Sequence, residues 1–388
     1  MPVDPLPAVP PPAPATHPRR DALLVVAFFA TLLAFAFFDP LFGRQLHWEN
    51  RSLAPWPALE LRRDWFARFD AAFSDRFASR NALIALQHAV AVRGFRSSPV
   101  KDVVLGRDGW LYFAGEDGHA LDRHFRGVLP FGDDIIRALR DELDRRGQFL
   151  AARGIAYIVT VAPDKATIYP EHLPRWMHRM PGPTPLERTV ALLRSDDALR
   201  FVDLRGPLLA AKKDRQVYYR TDSHWNYLGA IVAYEALMRE VQRALGAERL
   251  PALASPDVPP YVEGVDRYRG DLARMLGSST RYDEPDFAPF GKVLGDPSRR
   301  CARRIDDGKD EGFEVYACAR APDLRAVVYR DSMAIPLIPL LSENFRRVVY
   351  VSSRKLDPAL IKREKPDIVI EEFVERNLHA TVAFPMAP

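Results

Sequence analysis

Short apolar runs alternate with helical patterns along most of the chain after residue 130. Strands this apolar, separated by helices, indicate a mostly parallel sheet covered on both faces, so the predicted fold class is α/β. The predicted helices cover 133–153, 226–245, SMAIPLIPLLSENF and DPALIKRE. The predicted strands are AYIVTVAP, RFVDL, LRAVVYR, RRVVYVS and PDIVIEEF.

The N-terminal residues divide into a tail and an apolar segment. Residues 1–20 are crowded with proline and alanine, which predicts an extended tail. The run Ala22–Phe38 carries no charge and is at the lower limit of length for spanning a bilayer, so residues 21–43 are predicted to be a transmembrane anchor. Arg19 and Arg20 precede the run, which favours a cytoplasmic tail and an exported remainder. A cleaved signal peptide and a buried core helix are the alternatives.

Two further regions follow the anchor. Residues 44–95 are predicted to be a helical linker region, because aromatic and aliphatic residues recur there at close to helical spacing. Residues 96–388 are predicted to form the main domain, with a strand at WLYFAG near its start. Within it, residues 250–300 are rich in proline, aspartate and arginine, which predicts a loop-like insertion.

Net charge and cysteine content narrow the function classes. The net charge is +4, Lys and Arg are interspersed with Asp and Glu, and the sequence contains no arginine-rich run, so a nucleic-acid partner is not expected. Cys301 and Cys318 are the two cysteines of the sequence, and neither lies in a CxxC pair, so a structural zinc site is not expected. A disulfide between them and two separate buried thiols both remain open.

One candidate nucleophile follows a predicted strand. In open α/β sheets ligands bind at the carboxyl ends of strands, and Asp331 and Ser332 come directly after the apolar run 326–329. Amides at the start of the next helix are expected to stabilise an oxyanion beside Ser332. The alternative is that Asp331 or Ser332 only caps that helix.

The segment YYRTDSHWN supplies a candidate base and acid. Asp222 and His224 are two residues apart before a predicted helix, which allows the carboxylate to reach Nδ1 and leaves Nε2 for a serine hydroxyl. A capping Asp beside a surface His is one alternative. A metal pair is another, although no further His or carboxylate cluster clearly completes a coordination shell, so no metal is predicted.

An ordered set of motifs resembles the SGNH-hydrolase-like polysaccharide O-acetyltransferases, the AlgJ/AlgX-type alginate acetylation proteins. The segments that carry the resemblance are ENRSLAPWP, SDRFASR, GRDGWLYF, APDKATIYPEHLP, YYRTDSHWNYLGA, RGDLARMLG, YRDSMA and PDIVIEEFVERNL. The resemblance implies a circularly permuted SGNH fold in which Asp222 and His224 are the acid and base and Ser332 is the nucleophile. Arg330 stands where a glycine is common in the family.

The same resemblance implies a function and its setting. It implies a periplasmic enzyme, anchored in the inner membrane, that moves acetyl groups onto exopolysaccharide hydroxyls through an acetyl-serine, with a multi-pass membrane acyltransferase as partner and no cofactor. A carbohydrate acetylesterase and a non-catalytic polysaccharide-binding or scaffold subunit are the alternatives. The residues predicted to contact the sugar are Tyr219, Trp225, Asn226, Lys165, Arg330 and Arg376.

Overall fold

The structure is a computed structural model, and it divides into two compact units, residues 1–87 and 88–388. The residues that it describes are 20, 22–30, 54–60, 62–76, 80–129, 131–194, 199–251, 267–277, 282–285, 300–306, 313–378 and 385–386.

The N-terminal unit is helical where it is described. Residues 22–30 form a helix, and α1 (Trp65–Arg76) carries aromatic rings at helical spacing, with Trp65 and Phe69 stacked at 5.2 Å between centroids. No helix in the described part of the chain has both the length and the apolar character needed to span a bilayer. The second half of the predicted anchor, from residue 31 to residue 43, lies outside the described residues.

The C-terminal unit is built on a seven-stranded sheet with the order β4-β3-β11-β9-β10-β8-β7. The first five strands in this order are parallel, and β8 and β7 are antiparallel. The predicted mostly parallel α/β sheet is therefore confirmed. The sheet strands are β3 (Ala156–Ala162), β4 (Arg200–Asp203), β7 (Arg303–Asp306), β8 (Phe313–Ala317), β9 (Arg325–Tyr329), β10 (Arg347–Val351) and β11 (Ile368–Val374).

Helices cover both faces of this sheet. One core contains Ile158, Val328 and the buried face of the long helix before residue 245, and the other contains Val159, Val327 and the helix after Asp133. Alternate residues of each strand thus enter opposite cores, as expected for a sheet buried on both sides. The helix α2 (Arg80–Ala89) belongs largely to the N-terminal unit. The described α-helices of the C-terminal unit are α3 (Asp133–Ala151), α4 (Lys165–Ile168), α5 (Pro185–Arg194), α6 (Arg205–Ala211), α7 (Tyr227–Leu245), α8 (Asp271–Met275), α9 (Ile338–Leu341) and α10 (Pro358–Glu364).

A hairpin and a second short antiparallel pair complete the described strands. The hairpin of β1 (Val103–Leu105) and β2 (Leu111–Phe113) includes the predicted WLYFAG strand. The pair β5 (Arg267–Tyr268) and β6 (Glu284–Pro285) lies in the region predicted to be loop-like. Most of residues 250–300 lies outside the described residues, and the elements described there are this strand pair and the short helix α8.

The predicted helix SMAIPLIPLLSENF is broken into three pieces. Ser332–Leu337 is 3-10, α9 adds one α-helical turn, and Ser342–Asn344 is again 3-10. Pro336 and Pro339 account for this, because proline lacks the amide that an α-helix needs and its ring clashes with the preceding turn.

Cys301 and Cys318 are joined in a disulfide. They flank the antiparallel pair β7–β8, so the bridge ties together the two strands at that edge of the sheet. The disulfide alternative is the one the structure adopts, and separate buried thiols are not found.

Candidate active site

Three neighbouring parallel strands deliver polar residues to one edge of the sheet. Asp164 and Lys165 follow β3, Glu375 follows β11, and Asp331 and Ser332 follow β9. The carboxyl ends of parallel strands open onto the same edge, which is where α/β sheets bind ligands.

The segment YYRTDSHWN forms a tight loop over this edge. Tyr218 and Trp225 pair as an isolated β-bridge at its base, and the Asn226 amide donates to the Val217 carbonyl at 3.0 Å. Asn226 then caps α7 by accepting from the Gly229 amide at 3.1 Å. A glycine is required at 229, because a Cβ there would lie 2.2 Å from the Val217 carbonyl oxygen.

Two buried charged side chains hold the loop from below. The Lys165 ammonium donates to the carbonyls of Tyr219, Arg220 and Asp222 at 3.0, 3.0 and 2.6 Å. The Glu284 carboxylate accepts from the amides of Arg220 and Thr221 at 2.9 and 2.7 Å. The loop backbone is therefore fixed by charge-assisted hydrogen bonds on both its acceptor and donor groups.

A hydrogen-bonded chain joins the three predicted catalytic residues. His224 Nδ1 lies 2.7 Å from Asp222 Oδ1, and His224 Nε2 lies 2.9 Å from Ser332 Oγ. An ionised carboxylate only accepts, so Nδ1 carries the imidazole proton and the Nε2 lone pair faces the serine hydroxyl. The structure thus brings together residues separated by 108 positions in the chain.

Asp222 is held in its ionised form. Burial alone raises its pKa, but hydrogen bonds from His224 and from the Tyr268 hydroxyl, at 2.6 Å to Oδ2, outweigh burial and lower the pKa below its usual value. The Asp271 amide adds a further donor to Oδ2 at 2.9 Å. Burial and then the Asp222 charge raise the pKa of Tyr268, so its hydroxyl stays protonated and continues to donate.

Ser223, between the acid and the base, faces away from the reacting position. Its hydroxyl donates to Asp271 Oδ2 at 2.5 Å and its amide donates to Asp271 Oδ1 at 2.7 Å. Asp271 approaches His224 Nδ1 to 3.7 Å and so completes a set of three potential metal ligands with Asp222. Both Asp222 oxygens and both Asp271 oxygens accept hydrogen bonds from protein groups, so the set is satisfied as a hydrogen-bonded network.

The capping alternative holds for Asp331 and not for Ser332. Asp331 Oδ1 accepts from the Met333 amide at 2.9 Å, and its Oδ2 accepts from the Val374 amide at 2.8 Å. The Met333 amide is therefore already hydrogen-bonded and is not available to an oxyanion. The expectation that amides at the start of this helix stabilise the oxyanion is wrong for Met333. Among the described residues, the Ser332 amide has no acceptor.

Comparisons with known proteins identify the family of this chain. A family model described as an SGNH hydrolase-like domain, acetyltransferase AlgX, matches residues 103–290, which contain Asp222 and His224. The probable alginate O-acetylase AlgJ of Pseudomonas fluorescens is 31% identical over 304 residues, or 71% of this chain and 68% of that protein. This chain belongs to the AlgJ/AlgX family of SGNH-hydrolase-like acetyltransferases.

One further relative supports that membership, and one solved structure supports the fold. The probable alginate O-acetylase AlgJ of Pseudomonas aeruginosa is 26% identical over 338 residues, covering 80% of this chain and 78% of that protein. The solved structure of Bacillus cereus PatB1 matches with a TM-score of 0.51 at 15% identity, over 71% of this chain and 96% of that chain. The PatB1 match supports the fold alone.

In this AlgJ/AlgX-family chain, Ser332 opens into a cleft of about 350 Å³ beside His224. The cleft is lined on one side by Tyr219 and Tyr268, whose rings stack at 4.1 Å between centroids, and on the other by Ile335 and Pro336. Stacked aromatic rings beside an exposed hydroxyl suit the apolar face of a sugar.

The predicted sugar-contacting residues fall into two groups. Tyr219 lines the cleft, and its contact with a sugar stays a prediction. Trp225 and Asn226 also border it but are each 1% exposed, and Asn226 is committed to capping α7. The prediction that Lys165 contacts the sugar is corrected, because all three donors of its ammonium group are used on carbonyls of the loop. Such a lysine positions the loop and has no donor left for a sugar.

The two arginines that were predicted to contact the sugar are not among the residues that line this cleft. Arg376 forms an ion pair with Asp164 and its guanidinium lies over the Phe113 ring, so it is committed within the protein. Arg330 uses its backbone amide to continue the pairing of β9 with β10, donating to Val351 at 2.9 Å. Its side chain lines a second cavity. This cavity is distinct from the cleft lined by Tyr219 and Tyr268, which we call the aromatic cleft.

Sequence reasoning missed Tyr268, Asp271 and Glu284 as parts of the site. The motif RGDLARMLG contributes to the family resemblance, but nothing in it alone indicates that Asp271 anchors the loop. Gly270 in this motif allows the closest approach, since a Cβ there would lie 2.2 Å from the Thr221 carbonyl oxygen. A glycine followed by an aspartate within a family motif was the available signal.

Glu375, at the end of β11, is expected to make stability depend on pH. Burial and then the charge of Asp164 raise the pKa of Glu375 to about 8, from an ordinary value of 4.5. Between these values the folded chain binds more protons than the unfolded chain, so the free energy of unfolding falls as pH rises. Glu375→Gln keeps an acceptor for the Asp164 amide and the Thr167 hydroxyl, and should flatten this slope.

Urea unfolding of the parent protein and of Glu375→Gln, at several pH values between about 5 and 8, measures how the free energy of unfolding changes with pH. The exposed Glu235 offers a matched control, because Glu235→Gln removes the same group and should leave the slope unchanged. An equal slope in Glu375→Gln and in the parent protein would show that Glu375 is ionised in the folded state.

Proposed function

We propose that this chain is an O-acetyltransferase that moves acetyl groups onto hydroxyls of an exopolysaccharide through an acetyl-Ser332 intermediate. The observation that carries the proposal is the chain of hydrogen bonds from Asp222 through His224 to the exposed Ser332 hydroxyl. Family membership supports acetyl transfer as the reaction, and the stacked Tyr219–Tyr268 pair supports a sugar acceptor.

The geometry supports a two-step mechanism. Ser332 Oγ attacks the carbonyl carbon of an acetyl ester while His224 Nε2 takes the hydroxyl proton. His224 returns this proton to the departing alkoxide, which leaves acetyl-Ser332. A sugar hydroxyl then attacks, its proton passes to His224, and Ser332 regains it as the acetylated sugar departs. Asp222 keeps the proton on Nδ1, and the Ser332 amide is placed to donate to the tetrahedral oxyanion.

The setting of the reaction is part of the same proposal. We infer a periplasmic enzyme held by an inner-membrane anchor, supported by the uncharged run Ala22–Phe38 and by the Cys301–Cys318 disulfide, which is typical of an oxidising compartment. We also infer a multi-pass membrane acyltransferase as the source of acetyl groups. The relatives described as alginate O-acetylases support an alginate-like acceptor.

The experiment follows the acetyl group. The full chain in detergent is incubated with an aryl acetate, and its peptides are analysed by mass spectrometry with and without an oligosaccharide acceptor. We expect an acetyl group on the peptide containing Ser332, discharged faster when the oligosaccharide is present, with acetylated sugar as product. Deleting the gene should lower acetylation of the secreted polymer. A rise in polymer acetylation would identify an esterase, and acetyl-serine at another position would exclude Ser332 as the nucleophile.

A further inference from the structure

A second cavity also has Ser332, the proposed nucleophile, in its lining. It measures about 360 Å³ and is formed by the residues that follow the adjacent parallel strands β9 and β10. We call it the arginine cavity; its lining residues are Arg330, Asp331, Ser332, Ser352, Ser353 and Arg354. Ser332 is the one residue that it shares with the aromatic cleft. Both cavities therefore have the proposed nucleophilic residue in their lining.

Arg354 brings a second positive charge to this cavity. Across the described residues, the Arg354 side chain forms no hydrogen bond and no ion pair. Its Nε is buried from solvent and has no acceptor. A buried donor without an acceptor is uncommon in folded proteins, because its lost hydration is not replaced.

The donor groups of the Arg330 side chain also lack good hydrogen-bond acceptors. Its side chain is 10% exposed, and its Nε is buried without an acceptor. The Glu314 carboxylate lies 3.7 Å from one terminal nitrogen, and the Asp331 carbonyl lies 3.4 Å from the other. Both separations are long for a hydrogen bond. Asp331 does not supply the missing acceptor, since its two carboxylate oxygens accept from Met333 and Val374.

Arg376 shows the contrast with an arginine that has a structural role. It lies at the same edge of the sheet and is likewise buried, but the Asp164 carboxylate pairs with it directly. In the arginine cavity, Arg354 has no carboxylate partner among the described residues, and Arg330 has only the long ion pair with Glu314 at 3.7 Å. Its donors therefore remain available to a ligand that carries negative charge.

We propose that the arginine cavity is an anion-binding subsite that holds an oxyanionic group, a carboxylate or a phosphate ester, of a transfer substrate while the reacting group lies at Ser332. The inference rests on the proposed function, because the ligand is a substrate of the acetyl transfer. Guanidinium groups bind such anions through paired hydrogen bonds, and Ser352 adds a hydroxyl donor.

The anion can belong to the acceptor or to the acetyl donor, and two measurements separate these sources. The first is calorimetric binding to full-length Ser332→Ala protein of a uronic-acid oligomer and of the neutral oligomer of the same sugar and length. The second is the ratio of kcat/KM for 4-acetoxybenzoate and phenyl acetate as donors. Each is repeated in Arg354→Gln and Arg330→Gln, with Arg243→Gln as control, because Arg243 is an exposed arginine on α7.

We expect one of the two anionic ligands to be preferred by about tenfold, and Arg354→Gln to reduce that preference to near unity. Loss of the oligomer preference assigns the anion to the acceptor, and loss of the ester preference assigns it to the donor. Arg354→Lys, which keeps the charge without the paired donors, should retain part of the preference and serves if the glutamine variant does not fold. Arg243→Gln should match the parent protein.

Preferences that persist unchanged in both Arg330→Gln and Arg354→Gln would overturn the proposal. The binding measurement needs no catalysis, so its result stands even if another residue is the nucleophile. Failure of the proposed function is seen separately, as undiminished ester hydrolysis in Ser332→Ala.

Discussion

Ser332→Ala is expected to lower kcat for aryl acetate hydrolysis by about a thousandfold or more. The reason is that His224 Nε2 has one hydroxyl within hydrogen-bonding distance at the cleft, that of Ser332 at 2.9 Å. Without it the base has no nucleophile to activate, and only substrate binding and the remaining oxyanion donor contribute to the rate. Stopped assays with a chromogenic acetate ester measure kcat and KM separately, and KM should change little.

Ser223→Ala is the matched control for this prediction. Ser223 also lies near the imidazole, at 3.2 Å from His224 Nδ1, but its hydroxyl donates to Asp271. Its removal costs one hydrogen bond that orients the loop, so the expected loss of kcat is less than about tenfold. The reverse pattern, a large loss in Ser223→Ala and a small one in Ser332→Ala, would move the nucleophile to Ser223.

Lys165→Met is expected to lower the free energy of unfolding by about 3–5 kcal/mol and to reduce activity as well. The methionine preserves much of the buried volume but removes the three hydrogen bonds to the carbonyls of Tyr219, Arg220 and Asp222. These carbonyls then have no ammonium donor beneath the loop, and the loop carries Asp222 and His224. Urea unfolding followed by tryptophan fluorescence measures the first effect, and the esterase assay measures the second.

Lys213→Met provides the control, because Lys213 is exposed and the same substitution there should change stability by less than about 0.5 kcal/mol. The two readouts also test the corrected role of Lys165. If Lys165 contacted the sugar, its loss would raise KM for the acceptor and leave stability unchanged. If Lys165 supports the loop, stability and kcat should fall together.

The sheet was predictable because its signals are local. The runs that became β3, β9, β10 and β11 are mostly apolar, as is typical of strands buried on both faces, although β11 also carries the buried Glu371 and Glu372. Asn226 marked the start of α7 with its own capping side chain. The antiparallel strands β7 and β8 were not predicted. Arg303–Asp306 is a charged edge strand, and its assignment depends on pairing with a neighbour that the sequence does not specify.

The acid, base and nucleophile were identified by residue type and order, helped by the family motifs. Their supporting residues were not identified, because Tyr268, Asp271 and Glu284 act through contacts with a loop about fifty residues earlier. Lys165 shows the same limit of prediction from sequence, because here a residue was chosen and given the wrong role. A lysine after a strand suggests a ligand contact, and only the position of three carbonyls above it reveals that its donors are already used.

The sequence by itself determined the α/β class, the parallel strands and the residue types available for acyl chemistry, because hydrophobic periodicity and short motifs are properties of neighbouring residues. The tertiary structure alone decided which of these residues meet. The parallel order β3-β11-β9 brings the ends of three distant strands to one edge, sets Ser332 against His224, and leaves Arg330 and Arg354 facing a shared cavity. Long-range strand pairing, which no local pattern encodes, is the physical reason for this difference.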